Sequence, residues 1–123
     1  MFMNALPKPM ELAANVTNQA TATEIILRIG DVKRMVRIDR VMVNRISGTA
    51  TTYQPAIGNV GSFTTGTSAE KYLATSVPVA TQTDDTAIEG LTSTDLLGNL
   101  YLRCAPNAGA DNAFSYAVVV SVY

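Results

Sequence analysis

The sequence predicts an all-β, single-domain β-sandwich of jelly-roll or Greek-key type with an extended N-terminal arm, on three observations. Roughly seven or eight short β-prone runs alternate with turn signals spaced about 8–12 residues apart, the pattern of a sandwich. No stretch carries a convincing apolar repeat of helical period. The length of 123 residues supplies one hydrophobic core and not two.

Residues 1–22 read as the arm and 23–123 as the sandwich domain. Pro7 and Pro9 exclude a regular helix across the first ten residues, and 13–22 have no strong period. The arm is therefore extended, or turns once as a helix over 10–14. Phe2, Met3, Leu6, Met10 and Leu12 are many apolar residues for a dangling tail, so the arm is expected to lie on its own domain or on a neighbour.

Residues 23–29 alternate Ile25, Leu27 and Ile29 against Glu24, Ile26 and Arg28, a strand with one apolar face. Gly30-Asp31 turns the chain. In 32–47, Val32, Val36 and Ile38 share one parity while Val41 and Val43 share the other. Because strand side chains alternate faces, this switch near Asp39-Arg40 predicts a bulge, a tight bend or a change of sheet. The Thr/Gly/Ser-rich stretch 48–69 reads mostly as loop, with room for short strands at 51–53 and 59–64. A strand follows at 71–80, with Pro78 marking an edge or an outward position. After the Asp84-Asp85 turn comes a short strand at 86–91. Residues 92–98 are either a loop or a helical turn capped by Ser93 or Thr94. The runs 99–105 and 114–123 flank the turn cluster 106–113 and read as an antiparallel pair, a terminal hairpin.

The chain is 47% hydrophobic but only 15% charged, against about 25% charged in an average soluble domain. Uncharged polar residues must cover its surface, which suits a subunit buried in an assembly because they cost less to desolvate than charges. The net charge of −1 argues against a general nucleic-acid binder. Yet Arg28, Lys33, Arg34, Arg37, Arg40 and Arg45 crowd one segment, while Asp84, Asp85, Glu89, Asp95 and Asp111 lie in the second half. The segment lacks aromatic stacking partners, so an interface with acidic protein groups outranks nucleic acid as its use. The bland alternative is that these charges solvate strand faces.

Catalytic chemistry is poorly provided for. Histidine is absent, which removes the commonest general base and the usual triads and zinc sites. Asp84, Asp85 and Glu89 read as a solvated turn before they read as a glycosidase pair. Asn107, Asp111 and Asn112 fit turn chemistry better than calcium. Gly58, Gly61 and Gly66 do not open a helix after a strand, so no phosphate-cradling loop is predicted. No metal or cofactor is expected, and the chain is not read as an enzyme. The single Cys104 permits no intrachain disulfide and reads as a buried, inert thiol. The start has no basic segment followed by an apolar core, and no run approaches the ~20 apolar residues of a spanning helix; a soluble product made in the cytoplasm is expected. Tyr101 and Tyr123 stand opposite the most apolar faces of their strands, free for an outward patch or for stacking on a sugar.

A small, nearly neutral, Thr/Ala/Gly-rich β chain without histidine, with an apolar arm, resembles the capsid decoration, or cement, proteins of tailed bacteriophages. The stretch 100–118, running on to 123, is similar to the terminal hairpin of small phage structural β domains. The resemblance implies a non-enzymatic virion protein on the outer capsid surface, commonly a homotrimer, that binds the major capsid protein and clamps the lattice at three-fold or quasi-three-fold positions, with no nucleic-acid or membrane partner. On that reading the contact residues are Phe2, Leu6, Met10 and Leu12 of the arm with Arg34, Arg37, Arg40 and Arg45. The alternative is a carbohydrate- or host-receptor-binding β-sandwich module of a phage head fibre or tail.

Overall fold

Two alternating strands, β9 (Asn99–Pro106) and β10 (Asn112–Val122), set the frame. In β9 Leu100, Leu102 and Cys104 are buried, and in β10 Phe114, Tyr116, Val118 and Val120 are buried, while the residues between them point away from the core. A computed structural model describes residues 7–19, 23–61, 70–73, 77–78, 83–84 and 91–123. The remaining strands are β1 (Lys8–Gln19), β2 (Thr23–Arg28), β3 (Met35–Ser47), β4 (Thr52–Gly58), β5 (Glu70–Leu73), β6 (Val77–Pro78), β7 (Thr83–Asp84) and β8 (Thr92–Ser93). Among the described residues the strands form two five-stranded antiparallel sheets. The first has the order β1-β10-β3-β7 with β8 also on β3; the second has the order β2-β9-β4-β5 with β6 also on β4. The all-β fold class is thus as the sequence predicts.

The terminal hairpin is not there. β9 pairs with β2 and β4, whereas β10 pairs with β1 and β3, so the connection 107–111 crosses from one sheet to the other. Both strands carry a fully apolar face, and such faces are buried equally well opposite one another across the core as side by side. The pairing is nested: β1 with β10 and β2 with β9, with the middle strands inside. Residues 8–19 of the expected arm are extended, without the helical turn, and lie along β10 from Lys8↔Val122 to Gln19↔Asn112. Met10, Leu12 and Val16 pack against the core from this edge strand.

The parity switch in β3 is a bulge. Arg40 stands opposite Val119 and Ile38 opposite Val120, leaving Asp39 as the extra residue. Val36 and Ile38 before it, and Val41 and Val43 after it, all reach the core as a result. Asp39 accepts hydrogen bonds from Arg37 Nε and Ser121 Oγ, both at 2.6 Å, so the bulge is tied to both strands.

Within the stretch 48–69, the described residues 48–61 hold more order than the composition suggests. β4 is an inner strand of the second sheet with Tyr53, Ala56 and Ile57 buried. Its Pro55 lies opposite Cys104, between the pairings of Thr52 and Tyr53 with β6 and those of Ala56 to Gly58 with β5. Residues 59–61 turn instead of starting the strand expected at 59–64, whose remainder lies outside the described residues, as does nearly all of the strand expected at 86–91.

Candidate interaction surface

One end of the sandwich is apolar. The β2–β3 connection, the turn after β4, the segment 91–98 and the end of β10 meet there. Ile29 N–H donates to the Gly98 carbonyl at 2.8 Å, Thr94 N–H to Arg34 at 2.9 Å, and Tyr123 N–H to Met35 at 2.9 Å. The Asn59 side chain donates to the Ser93 carbonyl at 3.0 Å. Among the described residues, seven of the nine large hydrophobic residues left exposed, Val32, Met35, Val60, Leu91, Leu96, Leu97 and Tyr123, lie in or next to these segments. Ile26 and Ile46 stand apart from them. The opposite end is polar: Thr49, Asn107, Gly109 and Asp111 are exposed there around the buried Asn112.

The apolar end is a rigid construction. The helical turn expected in 92–98 is instead a turn built on Asp95, whose Oδ1 accepts the N–H groups of Leu97 at 2.9 Å and Asn99 at 2.8 Å. Tyr101 donates its hydroxyl to Oδ2 at 2.7 Å. Thr94 does not cap a helix; its Oγ1 accepts the Arg34 N–H at 2.9 Å. Gly98 closes the turn at φ 81°, and a Cβ there would come within 2.7 Å of the Gly30 carbonyl oxygen, so only glycine lets the two loops approach so closely. With the backbone held on both sides, Leu96 and Leu97 project into water at 78% and 66% exposure.

Burial works against the Asp95 carboxylate, but the bonds from Tyr101, Asn99 and Leu97 outweigh it and hold the group below the usual carboxylate range. A depressed carboxyl stabilises the fold at pH above its unfolded value of about 3.9, and the contribution is lost as pH falls through the folded value. Melting temperature is therefore expected to fall more steeply below pH 4 in the parent chain than in Asp95→Asn, which keeps an acceptor for the backbone but has no carboxylate to protonate. Superimposable pH profiles would contradict the assignment.

The residues expected at an interface are dispersed. Phe2 and Leu6 lie outside the described residues. Met10 and Leu12 face the core. Arg34 is exposed at the rim of the apolar end. Arg37 and Arg40 share the outer face of the first sheet, level with Ser121 and Val119 of β10, and Glu11 of β1 lies in the same row as Arg40. Arg37 is ion-paired to Asp39. Arg45, near the polar end, donates to the Ala50 carbonyl at 2.5 Å. Of the arginine set, Arg37 and Arg40 alone are brought together. Tyr101 is half-buried with its hydroxyl spent on Asp95, while Tyr123 is exposed among the apolar residues. The buried Cys104 thiol is pushed up to about 12 by desolvation, and so stays protonated and unreactive. Among the described residues no cluster of metal-ligating side chains forms, and no helix is long and apolar enough to cross a membrane.

Fold and surface together define an all-β protein of two facing antiparallel sheets that presents one apolar end. Among solved structures it is similar to a chain in the acid-stable capsid structure of Helicobacter pylori bacteriophage KHP30, with TM-score 0.51 and 10% identity over 95% of this chain and 90% of that one. Weaker likenesses are to Bacillus endospore appendages, which form disulfide-linked pili (TM-score 0.46, 13% identity, 99% and 94% covered), and to the SPBc2 prophage-derived protein YomS (TM-score 0.39, 12% identity, 98% and 100% covered). No protein-family description matches the chain, and no curated protein matches it in sequence.

Proposed function

We propose that this chain is a non-enzymatic structural protein of a bacteriophage virion, which binds the major capsid lattice from outside as a decoration, or cement, protein. The observation that carries the reading is the fold: the likeness to a phage capsid chain runs over 95% of the sequence. The nested strand order supports it, because first pairing with last and second with next-to-last is how two Greek keys wrap into a jelly roll, an architecture used in viral capsids. The low share of charged residues, 15% of the chain, suits a subunit desolvated on assembly.

On this reading copies form a homotrimer on the lattice, and Arg34, Arg37 and Arg40 face carboxylates of the major capsid protein. Residues 1–22 act as an arm. β1 is an edge strand, so it can leave β10 for a neighbour without opening the inner strands. A protein that binds the assembled lattice and not its dissociated subunits adds its binding free energy to shell stability, and repetition of one footprint raises avidity.

Expanded heads of the cognate phage prepared without this chain supply the test. Added protein is expected to saturate at a fixed number per lattice unit and to raise the melting temperature of the shell. Absence of saturation, or an unchanged melting temperature, would overturn the proposal. Removal of 1–22 is expected to weaken binding; undiminished binding would refute the arm while sparing the decoration role.

A further inference from the structure

We infer that the apolar end is a self-association surface, on which a second copy of this chain docks end to end. Val32, Met35, Val60, Leu91, Leu96, Leu97 and Tyr123 together leave the equivalent of about four whole large side chains in water. That is on the order of 600 Å², taking about 150 Å² per large side chain. The figure stands at the top of the range of about 300–600 Å² for the largest patch on an ordinary monomer. It approaches the share of about 800 Å² that one partner contributes to a stable interface.

The rest of the molecule says which surface can meet it. Elsewhere among the described residues the exposed large hydrophobics are the isolated Ile26 and Ile46, and the opposite end is polar. Among the described residues, a head-to-tail contact would press the apolar end against a surface that offers one exposed large hydrophobic residue, Ile46, among polar groups. Like ends must therefore meet, on one symmetry axis, and such an assembly closes instead of growing into a fibre.

The rim fits the same arrangement. Asp31 is exposed and paired to Arg28 at 2.6 Å, and Lys33 and Arg34 are exposed beside it. Both signs of charge stand next to one apolar centre, so an oppositely oriented copy can bring its Lys33 and Arg34 over Asp31. The turn on Asp95 and Gly98 is already braced by hydrogen bonds, so docking orders little that is not ordered before.

This inference goes beyond the capsid reading and is tested on the purified full chain without any capsid, so either can fail alone. Sedimentation velocity across the micromolar range is expected to give a closed dimer for the parent chain. A monomer is expected for Leu96→Glu/Leu97→Glu, with parent-like circular dichroism. Ile46→Glu, at the other end and 61% exposed, should assemble as the parent does. Should the double variant fail to fold, Val32→Asp is read in the same way. A parent chain monomeric at every concentration, open-ended growth, an oligomer that survives the substitutions, or equal dissociation by Ile46→Glu would each overturn the inference.

Discussion

Phe114→Ala is expected to lower stability by about 3–5 kcal/mol, the range for removing a fully buried aromatic ring. Phe114 is 0% exposed on β10, which is hydrogen-bonded on both edges, by β1 and β3. Its ring stacks on Tyr116 at 5.7 Å and meets Tyr53 of the facing sheet edge-on at 6.5 Å. The cavity would thus open between two sheets, where an inner strand cannot close in without breaking its own ladder. Against a total of about 5–15 kcal/mol for a domain, the loss corresponds to a fall in melting temperature of roughly 10–20 °C. Urea denaturation measures it directly. Phe114→Leu refills part of the space and should lose less than half as much, and Ile46→Ala, 61% exposed and outside the apolar end, should stay within about 1 kcal/mol of the parent. A loss below about 1 kcal/mol for Phe114→Ala would mean that the sheets do not pack around this ring as described.

What the sequence discloses is which face of a strand is buried; it does not disclose the partner. The bulge was legible because Ile38 and Val41 cannot both face one core without an extra residue between them, and Asp39 is that residue. The alternations in β9 and β10 were legible for the same reason. Their pairing was not, since two apolar faces flanking a polar turn read identically whether the strands lie side by side or face each other across the core. One signal was available: Asn112 sits on the same parity as Phe114, a polar residue at a core position, which marks a buried polar anchor and not the tip of a hairpin. β4 was hidden by Pro55 and Gly58, which normally punctuate strands but here sit within a short seven-residue inner strand. The apolar end was hidden more thoroughly. Its residues come from four separate segments brought together by nested pairing, and only Leu96-Leu97 within a turn hinted at it in any local window.

Asn112→Asp is expected to cost about 2–4 kcal/mol at neutral pH although the side chain keeps its shape, because the amide is used at both ends. Its Oδ1 accepts the N–H groups of Thr49 at 3.1 Å and Ala50 at 2.9 Å, and its Nδ2 donates to the carbonyls of Ala108 at 2.8 Å and Gly109 at 3.2 Å. Replacing the amide nitrogen by oxygen leaves two carbonyls without that donor and sets a buried carboxylate against them; each unsatisfied buried group costs about 1–3 kcal/mol. Local relief is blocked: Gly48 packs so tightly that a Cβ there would come within 2.7 Å of the Asn112 backbone. The new carboxyl, 0% exposed at this position, is disfavoured when charged and titrates above its unfolded value. Protonation then restores a donor, so the deficit relative to the parent chain should shrink as pH falls from 7 towards 4.5, opposite in sign to the acid loss expected from Asp95. Asn107→Asp is the control, since Asn107 holds Thr51 and Thr52 from an exposed position where a carboxylate stays hydrated. Denaturation midpoints for both variants at the two pH values decide the matter. Equal deficits at pH 7, or an Asn112→Asp deficit that grows on acidification, would show that Asn112 is not the buried anchor joining the β3–β4 connection to the crossing between the sheets.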